Sequence, residues 1–134
     1  MPFVLDNSVV CGWIFENQAN AYTESVAQRL LDDRAHAPGL WPMELANVLR
    51  TGCKRGSLIA QQAQAVLENL AALPIDTDTR PASAATLLSL ALRHDLSAYD
   101  AAYLELALRL QQPIATQNAA LAEAARAAGV GVLP

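Results

Sequence analysis

Short apolar runs alternate with longer segments of helical pattern along the 134-residue chain. The short runs predict buried strands over 3–5, 35–38, 73–76, 113–116 and 130–133. The longer segments predict helices over 8–15, 21–33, 42–55, 58–73, 81–94, 97–111 and 119–128. Repeated strand and helix segments of these lengths indicate an α/β fold, with a short parallel central sheet flanked by helices on both faces.

Four polar residues interrupt these apolar segments at points where a helix begins. They are Asp6 in FVLDNSVV, Glu44 in WPMELANVL, Asp100 in LSAYDAAYLELA and Asn118 in PIATQNAAL. Carboxylates are rarely buried without a partner or a metal ion. Their repeated placement among core-forming residues therefore indicates one shared site.

The predicted topology brings the four residues together. In parallel α/β folds, ligands bind in the crevice outside the carboxyl ends of the strands. Asp6 follows the first strand, Asn118 follows the strand over 113–116, and Glu44 and Asp100 lie in first helical turns near the same end. Three converging carboxylates repel one another unless protons or cations offset the charge. An all-oxygen ligand set favours Mg²⁺ or Mn²⁺, so we interpret the site as a divalent-metal pocket that cleaves phosphodiester bonds.

Each of these residues also has an ordinary role open to it at a helix start. Asp6, Asn118 and the S-x-x-D pattern of 97–100 fit helix caps, and Glu44 lies near the third helical position, where a carboxylate favours the helix dipole. Against this, Trp41, Glu44 and Val48 share one helix face, which places Glu44 beside buried surface rather than in open solvent.

The composition, 53% hydrophobic and 16% charged, predicts a single folded domain over 1–134. The longest apolar stretches fall short of the roughly 20 residues of a membrane helix, and no basic segment marks a signal peptide. We expect a cytoplasmic protein in which Cys11 and Cys53 are free thiols, and we assign Trp41 and Tyr103 to structural positions.

The net charge of −4 argues against a protein that coats nucleic acid, but it is compatible with an enzyme that meets nucleic acid at one local site. Arg50, Lys54 and Arg55 form the one tight basic cluster, on the predicted helix that carries Glu44. Two interpretations stay open. The cations stabilise the helix C-terminus, or they hold RNA phosphate.

At LDNS, MELANVL, LSAYDAAYLELA and IATQNAAL the sequence resembles the PIN-domain ribonucleases, specifically the VapC-type toxins of bacterial toxin–antitoxin pairs. The resemblance spans nearly the whole chain. It implies that Asp6, Glu44 and Asp100 are the metal-binding acids and that Ser8 and Thr116 are polar supports. Asn118 stands where many relatives carry a fourth Asp, which favours one tightly held ion over a permanently occupied second site. The resemblance also implies a homodimer and a small antitoxin that occludes the active site.

The leading hypothesis is an Mg²⁺- or Mn²⁺-dependent endoribonuclease in which a metal-activated water attacks phosphorus. Asp6 and Asp100 are the expected direct ligands, and Glu44 either binds the metal or holds a coordinated water. One alternative is another metal-dependent phosphohydrolase, or an aspartyl-phosphate receiver that uses Asp6 as nucleophile. A second alternative is a catalytically weakened scaffold that serves as a protein-binding module, which the amide at Asn118 favours.

Overall fold

A computed structural model describes residues 1–134 of the chain, in which four parallel strands form one central sheet. The strands are β1 Phe3–Leu5, β2 Ala35–Ala37, β3 Ile75–Thr77 and β4 Ile114–Ala115. Their order across the sheet is β3-β2-β1-β4, and each neighbouring pair is parallel. The predicted parallel sheet is therefore confirmed.

Seven helices cover the sheet, and none is long and apolar enough to cross a membrane. They are α1 Asn7–Ile14, α2 Ala21–Arg29, α3 Trp41–Lys54, α4 Ala60–Ala71, α5 Ala84–His94, α6 Ala98–Leu110 and α7 Ala119–Ala127. A 3₁₀ turn over Glu16–Gln18 joins α1 to α2. Most predicted boundaries agree within three residues, and α2 ends four residues before the predicted end at 33.

The predicted final strand over 130–133 is wrong. Val132 forms a single parallel bridge to Ile114. The N–H of Ile114 donates to the carbonyl of Gly131, and the N–H of Leu133 donates to the carbonyl of Ile114. Only Ile114 of β4 pairs with this segment, so a single bridge forms instead of a ladder. The C-terminal segment therefore lies along the sheet edge without becoming a strand.

Alternating side chains of β1 supply two separate cores. Phe3 and Leu5 pack with the buried faces of α1, α2, α3 and α4, whereas Val4 packs with α6, α7 and Ile114. These side chains are at most 1% exposed. Because both faces of the sheet are covered, β1 is a near-continuous apolar run, as expected for a central parallel strand.

The chain order creates a crevice at the carboxyl ends of β1 and β4. The chain passes from β1 outward to β2 and β3, then returns through α5 and α6 to place β4 on the opposite side of β1. Such a reversal of direction is where open α/β sheets bind ligands. Asp6 directly follows β1, and Thr116 directly follows β4.

The close contact of α1 with α2 yields a test of the packing that supports this crevice. A Cβ atom added at Gly12 would lie 2.3 Å from Cγ2 of the buried Thr23. We expect Gly12→Ala to lower the free energy of unfolding by about 1–3 kcal/mol, measured by urea denaturation. Gly131→Ala is the control, because its nearest contact is an ordinary 3.5 Å. Equal losses in the two variants would contradict this packing.

Candidate functional site

Asp6 is buried where β1 meets β4, and two hydroxyl groups hold one of its oxygens. Its Oδ2 accepts hydrogen bonds of 2.7 Å from Ser8 Oγ and from Thr116 Oγ1. Each hydroxyl also accepts a backbone N–H, from Gln117 to Ser8 and from Asn118 to Thr116, both at 2.9 Å. These N–H groups leave each hydroxyl hydrogen free to point at the carboxylate. Both predicted polar supports therefore lie against Asp6.

Burial has the largest effect on the pKa of Asp6, because the residue is only 4% exposed. Loss of hydration raises the pKa of the Asp6 carboxyl above its ordinary value, and the charge of Asp100 raises it further. The hydrogen bonds from Ser8 and Thr116 oppose this rise because they favour the ionised form.

Glu44, in the first turn of α3, is half-buried and held by a tyrosine from α6. Its Oε1 accepts a 2.6 Å hydrogen bond from the hydroxyl of Tyr103, which is 0% exposed. Burial raises the pKa of the Glu44 carboxyl, the Tyr103 hydrogen bond lowers it, and the charges of Asp6 and Asp100 raise it again. Burial and the neighbouring Glu44 raise the pKa of Tyr103, which keeps its hydroxyl protonated as a donor.

Tyr103 is a site residue that the residue pattern alone placed among the structural aromatics. The available signal is that a buried tyrosine hydroxyl needs a hydrogen-bond partner. The identity of that partner depends on how α6 crosses α3, which residue spacing within either helix does not encode.

Asp100 lies in the first turn of α6, where Asn118 from the start of α7 positions it. Asn118 Nδ2 donates a 3.0 Å hydrogen bond to Asp100 Oδ2. The Asn118 carbonyl oxygen accepts the backbone N–H groups of Ala120 and Leu121 at 3.0 and 3.2 Å. These two donors fix the orientation of the amide. Asn118 therefore caps α7 with its oxygen and holds Asp100 with its nitrogen, so that it acts both as a helix cap and as part of the acid site.

A common pattern joins the three acids, Asp6, Glu44 and Asp100. Each has one oxygen held by a side chain from another element or loop, and a second oxygen that receives no side-chain hydrogen bond. No lysine, arginine or histidine forms an ion pair with any of them. The three open oxygens and their uncompensated charge fit a hard divalent cation.

The acids face one another across the crevice without closing into a compact cage. No group of three or more His, Cys, Asp or Glu side chains is arranged to enclose a metal ion. Mg²⁺ commonly binds through one or two carboxylates and keeps several waters. In this arrangement at most two of the acids could ligate one ion directly, so an ion held here would keep several waters as ligands.

The three basic residues of α3 do not share one side with Glu44. At about 100° per residue, Arg55 lies about 20° around the helix from Glu44, whereas Arg50 and Lys54 lie about 120° and 80° away in the other direction. All three are exposed. Arg55 is therefore the cation that lines up with the acid site.

Comparison with known proteins finds a matching family and solved structures with a similar fold. A family model described as the PIN domain matches residues 3–127. The structure of PAE2754 from Pyrobaculum aerophilum superposes with a TM-score of 0.67 at 15% identity, over 92% of this chain and 84% of that chain. The structure of FitAcB from Neisseria gonorrhoeae superposes with a TM-score of 0.66 at 20% identity, over 100% of this chain and 97% of that chain. A comparison with curated protein sequences gave no significant match.

Because the pKa of Asp6 is raised in the folded protein, the free energy of unfolding of the metal-free protein should depend on pH. A raised folded-state pKa makes folding take up a proton, so the contribution of Asp6 to stability is largest below its ordinary pKa of 3.8 and is lost as pH rises through the folded value. We expect Asp6→Asn to gain stability over the wild type as pH increases from about 4 to 7. Urea unfolding of both proteins in EDTA measures this difference, and a difference that stays flat or shrinks with pH would contradict it.

Introducing a carboxylate at position 118 should make the stability of the protein depend more strongly on bound metal. In Asn118→Asp the cap on α7 is kept, but an oxygen replaces the donor that faces Asp100 at 3.0 Å. We expect the free energy of unfolding in EDTA to fall by about 1–2 kcal/mol from like-charge repulsion, and Mn²⁺ to restore it. Asn118→Ala is the control: it loses the cap but adds no charge, so Mn²⁺ should stabilise it no more than it stabilises the wild type. No loss in EDTA for Asn118→Asp would refute the contact.

Proposed function

The chain belongs to the PIN-domain family, and from this premise we propose that it is a divalent-metal-dependent endoribonuclease, the toxin of a toxin–antitoxin pair. The observation that supports the nuclease is the set of three acids from three different elements. In each acid one oxygen accepts a side-chain hydrogen bond and the other accepts none, and no Lys, Arg or His forms an ion pair with the acid.

In this proposal Asp6 and Asp100 would hold Mg²⁺ or Mn²⁺, and Glu44 would hold it directly or through a bound water. The ion, when bound, supplies a water of lowered pKa and polarises the scissile phosphate. Ser8 and Thr116 keep Asp6 in one orientation, and Asn118 does the same for Asp100. The second oxygen of Glu44 would take up a proton from the attacking water, and the pKa of its carboxyl, raised mainly by burial, favours that role.

The arrangement around Asp6 disfavours its use as a phosphoryl acceptor. A phosphoryl group bound to Asp6 would have to fit beside a residue that is only 4% exposed, whereas a metal ion needs contact with a single oxygen. The same supporting bonds argue against a degenerate protein-binding scaffold, because such a module has no need to orient three acids.

The proposal includes a cytoplasmic location, a small antitoxin that covers the acids, and a homodimer. Cys11 and Cys53 are free thiols, as in a reducing compartment. Exposed large apolar side chains on α5 and at the start of α6 support self-association, because such patches mark interaction surfaces. They are Leu88, Leu92 and Tyr99, which are 60%, 76% and 65% exposed.

The activity is tested by incubating a mixed cellular RNA pool with purified protein and Mn²⁺ or Mg²⁺. We expect discrete fragments that EDTA abolishes. Asp100→Asn should reduce cleavage by more than the roughly 10–100-fold that loss of a supporting residue costs, because it removes a direct ligand. The fold should stay intact by circular dichroism, since Asp100 is only partly buried.

Thermal stabilisation by Mn²⁺ separates the enzyme from a binding module. The wild type should be stabilised by the metal and Asp100→Asn much less so, because a ligand that binds only the folded state raises its stability. Cleavage by Asp100→Asn at the wild-type rate would refute the assignment. Absence of both cleavage and Mn²⁺ stabilisation, in protein freed of any co-purified partner, would favour the module.

A further inference from the structure

A cleft of about 220 Å³ opens between the 3₁₀ turn and α3. Only three of its ten lining residues are apolar. The lining includes Phe15, Asn17, Gln18, Asn47, Thr51 and Arg55. The cleft therefore offers an aromatic ring, three amides, a hydroxyl and one cation.

The cleft extends from Cys11 of α1 to α3, the helix that also carries Glu44, and none of the three acids lines it. Cys11 lines it, and the charges of Asp6 and Glu44 both contribute to a raised pKa of the Cys11 thiol, after the larger effect of burial. On α3, Glu44, Thr51 and Arg55 follow one another at i, i+7 and i+11, which keeps them on one side of the helix. The stripe from Glu44 to Arg55 is about 16 Å long at 1.5 Å per residue. That length corresponds to a few nucleotides of a single strand.

The polar groups of the cleft are free to bind a ligand. None of the side chains of Asn17, Gln18, Asn47 and Thr51 makes a hydrogen bond within the chain, and Arg55 forms no ion pair. An amide presents both donors and an acceptor, the complement of a base edge. The acid site differs, since every predicted ligand there already has a partner within the chain.

Phe15 supplies an apolar surface in the same cleft. Its ring lies close over α3 because position 52 is glycine, and a Cβ added at Gly52 would lie 3.0 Å from Phe15 Cε1. The ring is half-buried, so part of it faces the cleft. Unpaired RNA bases are typically bound by stacking on an aromatic ring and by hydrogen bonds to their edges.

We propose that this cleft binds an unpaired nucleotide of the RNA substrate a few nucleotides from the scissile phosphodiester, with its base against Phe15 and Asn47 and a phosphate on Arg55. The inference rests on the proposed function and specifies its substrate as single-stranded RNA read at one flanking base. A peptide occupant is less well matched, since an anchoring side chain needs a mostly apolar pocket, whereas most of this lining is polar.

Two variants with matched controls separate base reading from phosphate binding. Asn47→Ala is paired with Asn69→Ala on α4, and Arg55→Ala with Arg126→Ala on α7; all four side chains are exposed. Binding of fluorescent six-nucleotide RNAs is measured by anisotropy in EDTA, on an Asp100→Asn background that prevents cleavage. Each RNA carries one fixed base in an otherwise mixed sequence.

Arg55→Ala should weaken binding of all the RNAs about tenfold, the loss of one charge-assisted contact. It should also reduce the slope of log affinity against log salt by about 0.7. Asn47→Ala should leave the salt slope unchanged but flatten the preference among the fixed bases. Both control variants should match the parent protein.

The experiments distinguish failure of the cleft inference from failure of the proposed nuclease. If wild-type protein cleaves RNA with Mn²⁺ but Arg55→Ala and Asn47→Ala bind like their controls, the cleft inference is overturned and the nuclease stands. If the variants behave as expected but the wild type does not cleave, the cleft stands and the nuclease fails. If the cleft variants lose a co-expressed protein partner and bind RNA normally, the cleft is a protein site and the inference is overturned.

Discussion

The burial of the Asp6 carboxylate between the ends of β1 and β4 is the constraint on which the rest of the site depends. An ionised carboxylate removed from water is costly unless hydrogen bonds or a counter-charge compensate. Here Ser8 and Thr116 supply two hydrogen bonds to one oxygen, and backbone N–H groups hold the two hydroxyls. The other oxygen remains for a cation. The buried negative charge thus lowers the stability of the metal-free protein, and a bound metal ion would offset that loss.

The other two acids follow the same arrangement, in which one element supplies the acid and another holds it. Glu44 on α3 depends on Tyr103 of α6, and Asp100 on α6 depends on the residue that begins α7. Because each support comes from a distant part of the chain, the acids become oriented only when the sheet and both helical layers are assembled. Folding and preorganisation of the site are consequently one process.

The strands and helices, and the convergence of the acids, could be predicted because they follow from local patterns. Apolar runs and helix-start residues locate Asp6 and Glu44, and parallel topology directs them to one edge. The role of Tyr103 could not be predicted, because it depends on a crossing of two helices. The strand expected over 130–133 failed for a related reason: its apolar pattern is real, but the pairing capacity of β4 is set elsewhere in the chain. Arg50, Lys54 and Arg55 are close in sequence, but around the helix only Arg55 lies on the side of Glu44.

Helix α5 is the one α-helix with no buried residue, and it packs mainly on α6. Elements with little buried apolar surface open at low free energy and exchange their amide hydrogens early. Its apolar side chains Leu88 and Leu92 face solvent in the isolated chain. A second subunit that covers them would raise the opening free energy of α5 alone, by mass action. The rate of amide exchange in α5 would then depend on protein concentration. That rate would report on assembly, while the crevice that holds the acids stays unchanged.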